Sequence, residues 1–188
     1  VKAFVSAVCL TAFLLACLYG VLYIIENQED YMNPVVPYDE NAPMPEGLHP
    51  EVEQKTEELV NSAAEIGIEV VITEGFRSIE RQNDLYERGR SAPGSIVTNA
   101  RGGDSYHNYG LAVDFALRTP DGDVTWDMEY DGNGNGQSDW MEVVEIAKNL
   151  GFEWGGDWQH FRDYPHLQMN FGYSIHQLKR GQRPPASQ

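Results

Sequence analysis

The sequence predicts an α+β domain: a small central antiparallel sheet with flanking helices. Two observations predict it. Apolar residues recur at helical spacing in two well-separated segments, 50–66 and 140–150. Three short segments, 68–73, 111–117 and 166–169, carry the β-branched or alternating pattern of strands. The strands are short and separated by helices and loops, so the helices must cover the sheet for either to bury its apolar side.

The elements follow in order. Val52, Leu59, Val60, Ala63 and Ile66 share one face of a helix that begins at Pro50 and ends at Gly67. Residues 68–73 form the first strand. Ser78 caps a second helix that runs to about Arg88, with Leu85 and Tyr86 inward. Residues 91–105, rich in Gly, Ser and Asn, form a loop. Residues 111–117 form the second strand, and turns follow through 119–136, including Pro120-Asp121-Gly122. Trp140, Val143, Val144, Ala147 and Leu150 mark a third helix closed by Gly151, and 166–169 form the last strand. The folded domain is expected over 48–172, with 173–188 as a C-terminal tail.

The region before the domain is different. Residues 3–25 carry no charge, a run of 23 residues, long enough to cross a hydrocarbon core of about 30 Å as a helix. Lys2 precedes it, and Glu26, Glu29 and Asp30 follow, a polarity that puts the remainder outside the cytoplasm. A transmembrane anchor or uncleaved signal is expected. A lipoprotein signal at Leu14-Leu15-Ala16-Cys17 and a cleaved signal peptide are the alternatives. Apolar residues 18–25 argue against the first, and the length of the run argues against the second. All three expectations place the domain on the extracytoplasmic side of a cell membrane. Residues 26–47, with Pro34, Pro37, Pro43 and Pro45, read as a polar linker. Both cysteines, Cys9 and Cys17, fall in the apolar run, so the domain has neither a disulfide nor a thiol nucleophile. A formal net charge of −16 argues against a nucleic-acid partner.

The chemistry concentrates in two segments. In 111–117, Leu111, Val113, Phe115 and Leu117 point one way, and Ala112, Asp114 and Ala116 the other. A carboxylate between two alanines has little packing purpose, and its small neighbours leave space above it. In 163–169, Leu167 and Met169 face one side, and His166 and Gln168 the other. With His107 just upstream, two strands present two imidazoles and one carboxylate to a shared cleft. Such a set suits Zn²⁺ with a fourth position open for water, whose pKa the ion lowers toward about 7.

The string Ser105-x-His107-x-x-Gly110-x-Ala112-x-Asp114, followed by Asp163-x-x-His166, resembles the zinc peptidase family of D-alanyl-D-alanine carboxypeptidases and cell-wall endopeptidases. Gly75-Phe76-Arg77-Ser78, Gln82, Asp84-Leu85-Tyr86, Gly89-Arg90 and Trp154-Gly155-Gly156-Asp157-Trp158 are similar to its L-alanyl-D-glutamate endopeptidase branch, which includes phage endolysins. The resemblance implies the LAS/Hedgehog N-domain-like zinc peptidase fold. It also implies zinc ligands at His107, Asp114 and His166, a general base at Asp163, and a transition-state arginine at Arg77. Family members often carry Glu where Asp163 stands, a difference of reach. Four residues are candidates for substrate contact. Ser105 either bonds substrate or orients its loop, Gln82 and Asp157 occupy matched positions, and Trp158, like Trp154, either walls the cleft or joins the core. The implied reaction is hydrolysis of an amide in peptidoglycan stem peptides, at the L-alanyl-D-glutamate bond. The alternatives are a D,D-carboxypeptidase trimming terminal D-alanine, and a non-catalytic wall-binding module.

A second motif stands apart. Asp131, Asn133, Asn135, Asp139 and Glu142 fit the spacing of a calcium loop, with Gly136 at its sixth position. The competing reading is a Gly/Asn turn in which Asp139 caps the third helix and Glu142 closes a capping box.

Overall fold

A computed structural model of the chain describes residue 39 and residues 42–185. Among these the order is α1 (Pro50–Glu65), β1 (Val70–Glu74), α2 (Ile79–Glu87), a 3₁₀ turn (Tyr106–Tyr109), β2 (Ala112–Arg118), β3 (Val124–Thr125), α3 (Asp139–Asn149), β4 (Glu153–Trp154), a second 3₁₀ turn (Gly155–Asp157), β5 (His166–Gln168) and α4 (Ile175–Lys179). The strands form one sheet in the order β1-β2-β5-β4, with β3 paired to β2, and every pairing is antiparallel. The expected α+β class holds.

The core explains the alternation. Leu111, Val113, Phe115, Leu117 and Leu167 are buried with Val52, Leu59 and Ala63 of α1 and Trp140, Val143 and Ala147 of α3. Phe115 and Trp140 meet in a tilted contact with ring centroids 4.4 Å apart and planes at 33°. Ala112 and Ala116 are also fully buried, so the opening on the other face is confined to Asp114 and does not run along the strand.

Helix starts are fixed by capping side chains. Ser78 accepts the Arg81 N–H, as expected. At α3 the cap is Ser138, which accepts the Met141 N–H, and not Asp139. Glu142 closes no capping box; its carboxylate takes the side-chain amides of Asn133 and Asn135. The expected tail is folded as far as 185. Ser174 and Gln177 form a capping box at α4, Leu178 is fully buried, and the Pro185 carbonyl meets His49 Nε2 at 3.1 Å. The anchor expected over 3–25 lies outside the described residues, and among those no helix is long and apolar enough to cross a membrane.

Candidate metal centre and cleft

Each ligand candidate is set by local structure. His107 sits in the 3₁₀ turn that Gly110 ends at φ 68°, and a Cβ there would lie 2.2 Å from the Gly47 carbonyl oxygen. Only glycine fits the turn that brings His107 over β2. Asp114 and His166 are register partners across β2 and β5, so their side chains leave the same face side by side.

The three ligand atoms form a tight triangle. His107 Nε2 lies 3.2 Å from Asp114 Oδ1 and 3.1 Å from His166 Nδ1, and His166 Nδ1 lies 3.3 Å from Asp114 Oδ1. A tetrahedral ion with bonds of about 2.0–2.1 Å holds its ligands about 3.3–3.4 Å apart. The residues therefore fit a zinc ion on one face of its tetrahedron, with one position left open. Among the described residues this is the group of His, Cys, Asp and Glu side chains arranged to hold a metal.

The remaining ring nitrogens fix the tautomers. His107 Nδ1 lies 2.8 Å from the Gly75 carbonyl, which can only accept, so Nδ1 carries the proton and Nε2 keeps its lone pair for the centre. His166 uses the opposite nitrogen. Its Nε2 meets Gln168 Oε1 at 3.0 Å, and Gln168 Nε2 donates to Glu153 Oε2 at 2.8 Å. Glu153 fixes the amide, the amide fixes the imidazole, and Nδ1 is left for the centre.

Arg77 is buried beside this centre. Its Nη2 donates to Asp114 Oδ2 at 3.2 Å, its Nη1 donates to Gln82 Oε1 at 3.0 Å, and its Nε lies 3.6 Å from Glu74. Gln82, expected at the substrate, is fully buried instead. Its Nε2 donates to the Ala100 carbonyl at 2.8 Å, so it orients the guanidinium from behind. Asn108 does comparable work and was missed by sequence reasoning. It is fully buried, donates to the Arg77 carbonyl at 2.8 Å, and accepts the Gly103 N–H at 2.9 Å. Its place directly after His107 was the available signal.

A cleft of about 640 Å³ opens over the triangle, with Arg77, Asp163, Ser105 and Trp158 among its walls. Asp163 is partly buried, and its backbone N–H donates to the Gly155 carbonyl at 3.1 Å. Burial, and next the charge of Asp114, push its carboxyl up. Trp158 packs its ring 5.1 Å from that of His166, while Trp154 is core and donates from Nε1 to the Tyr164 carbonyl. Asp157 does not belong here. It is exposed and pairs with Lys148 at 2.6 Å.

Two imidazoles and a carboxylate in an open cleft, with a second carboxylate and a fixed guanidinium beside them, define the class of mononuclear metallohydrolases. The comparisons narrow the class. Residues 98–169 match the M15 peptidase family model described as D-alanyl-D-alanine carboxypeptidase. The chain is 65% identical over 130 residues to the peptidoglycan L-alanyl-D-glutamate endopeptidase CwlK of Bacillus subtilis (strain 168), covering 69% of this chain and 78% of that one. It is 37% identical over 116 residues to the L-alanyl-D-glutamate peptidase of Listeria phage A118, covering 61% of this chain and 36% of the phage protein. The crystal structure of the Serratia marcescens L-Ala D-Glu endopeptidase ChiX aligns with a TM-score of 0.46 at 28% identity, covering 66% of this chain and 82% of that one. The chain belongs to the M15 family of zinc peptidases, beside CwlK.

Proposed function

We propose that this chain hydrolyses the L-alanyl-D-glutamate amide of peptidoglycan stem peptides. The observation that carries the reading is the ligand triangle facing Asp163 and Arg77 across one cleft, in a chain 65% identical to an L-alanyl-D-glutamate endopeptidase. His107 Nε2, Asp114 Oδ1 and His166 Nδ1 would hold the zinc ion. Bound there, zinc supplies Lewis acidity, polarising a scissile carbonyl and making water nucleophilic at neutral pH.

The chain's own residues do the rest. Asp163 takes the proton of the attacking water and returns it to the leaving amine. Its carboxylate lines the same cleft as the ligand triangle, where both proton transfers take place. Arg77 faces the negative charge that develops on the carbonyl oxygen, and its bonds to Asp114 and Gln82 fix the guanidinium before substrate arrives. Trp158 gives the substrate an apolar wall, and Ser105 a hydroxyl on the same cleft. The uncharged run over 3–25 supports a membrane anchor with the domain on the extracytoplasmic side, where peptidoglycan lies.

The family model's own description favours a second reading, a D,D-carboxypeptidase. A non-catalytic wall-binding module would have no use for the candidate base and the buried arginine. Digestion of purified peptidoglycan separates the three. New N-terminal glutamate supports the endopeptidase, free D-alanine supports the carboxypeptidase, and binding without either product supports the module.

A further inference from the structure

The loop between β3 and α3 carries the one sequence motif that the peptidase chemistry leaves unused. Asp131 folds back over it. Its Oδ1 accepts the N–H groups of Gly134 and Asn135 at 2.9 and 3.1 Å, and its Oδ2 accepts that of Gly136 at 3.0 Å. Asn133 and Asn135 reach Glu142, donating to its two oxygens at 3.2 and 2.9 Å. Side chains at positions one, three, five and twelve of the calcium-loop spacing therefore share one small volume. Bonds of this kind would also hold a simple turn together, and alone they assign nothing.

Asp139, at position nine, decides the matter. It is 2% exposed. Its Oδ2 accepts the Gly132 N–H at 2.9 Å, from inside the loop, while its Oδ1 is buried with no hydrogen-bond partner. A buried carboxylate oxygen without a donor is costly. None of the ion pairs among the described residues reaches the carboxylates of Asp131, Asp139 and Glu142. Three carboxylates and two amides crowd together, and no cation among the described residues pairs with them.

We infer that this loop binds a calcium ion through Asp131, Asn133, Asn135, Asp139 and Glu142. All are oxygen donors, the set that suits a hard cation of flexible coordination and not zinc. An ion between them replaces the amide–carboxylate bonds by metal–oxygen bonds, with the amides turned to present Oδ1. The ion supplies the partner that Asp139 Oδ1 lacks. The site is structural. Asn133 also donates to the Ile66 carbonyl at the end of α1, and Trp140, one residue past Asp139, packs on Phe115 beside Asp114.

The test uses the full chain, stripped of metal on a chelating resin and then reloaded with one equivalent of zinc. Extracellular calcium modules bind at about 10⁻⁴–10⁻³ M. At 10 mM CaCl₂ the Tm is therefore expected to rise by about 5–10 °C. MgCl₂ at the same concentration produces little of that shift, and Glu142→Gln and Asp131→Asn each remove it. Tb³⁺ luminescence, excited through Trp140 and Tyr130 and displaced by calcium, gives a second readout on the unmodified chain. It decides the question should either variant fail to fold. No calcium-dependent rise, an equal rise with magnesium, a rise that survives in Glu142→Gln, or no calcium-displaceable Tb³⁺ emission would each overturn the assignment.

Discussion

Gly155 is the position where one added methyl group should damage the site most directly. A Cβ built there lies 2.4 Å from the Asp163 carbonyl oxygen and 3.1 Å from His166 Cβ, where ordinary contact begins at 3.4 Å. Relief requires the Asp163 backbone to give by about 1 Å, the difference between those distances. The Gly155 carbonyl cannot swing away freely, because it accepts the N–H groups of Asp163 and Trp158. Overpacking of this kind costs about 1–3 kcal/mol, or a Tm lower by roughly 3–10 °C for a domain of this size. The catalytic cost is larger. A 1 Å displacement of a positioned group can cost on the order of 10²-fold in rate. Gly155→Ala is therefore expected to lower kcat about 100-fold on a defined stem peptide while keeping most of its zinc. Gly47→Ala, where a Cβ meets nothing within 4 Å, is the matched control and should change neither quantity. A Gly155→Ala enzyme with unaltered kcat and Tm would show that the Asp163 loop is not held where the argument requires.

Three further outcomes are expected. Asp163→Asn keeps about one zinc per chain by metal analysis yet loses roughly 10²–10⁴-fold in turnover; a parallel loss of zinc would make Asp163 a ligand or a structural group. Arg77→Lys cannot reproduce two bonds made by separate nitrogens of one planar fork. It should lose about 10²–10³-fold in kcat, with Arg77→Ala lower still and less stable, and a change confined to KM would mean that Arg77 holds a substrate carboxylate in ground and transition states alike. Gln168→Leu removes the acceptor that fixes the His166 tautomer and should weaken zinc about 10–100-fold in competition with a chromophoric chelator. Unchanged affinity would show that His166 needs no such partner.

The readable parts of this sequence were those whose physics is local or periodic. The alternation of 111–117 gave β2 and the face that carries Asp114, and Ser78 gave the start of α2. The strands β3 and β4 have two residues each, too few for a period to register. Helix α4 has only five residues, little more than one turn, although its Ser174-x-x-Gln177 capping box stood in the sequence. Residue roles failed where partners come from distant segments. Gln82 looks like a polar helix residue free to face substrate, until folding brings it against Arg77 and the Ala100 carbonyl. Asp157 sits among site residues in the chain, yet its side chain turns outward to Lys148. Ser138 and Asp139 are both good helix caps, and the fold chose between them by burying the aspartate in its loop.

The wiring around β4 and β5 divides the cleft into two pieces of different origin. Glu153 steadies Gln168, Trp154 holds the Tyr164 carbonyl, and the Gly155 carbonyl holds Asp163. One short stretch of chain thus carries the candidate base and one imidazole almost as a cassette. Arg77, Gln82, His107, Asn108 and Asp114 form the opposing piece, tied together by their own bonds. What joins the two pieces is the pairing of β2 with β5, the Phe115 N–H to the Pro165 carbonyl, the Met169 N–H to the Leu111 carbonyl, the burial of Leu167 with Leu111 and Val113, and the ligand triangle itself. Alignment within each piece is written into its own bonds, whereas the distance between proton carrier and guanidinium is set by one short strand pairing and the core beneath it.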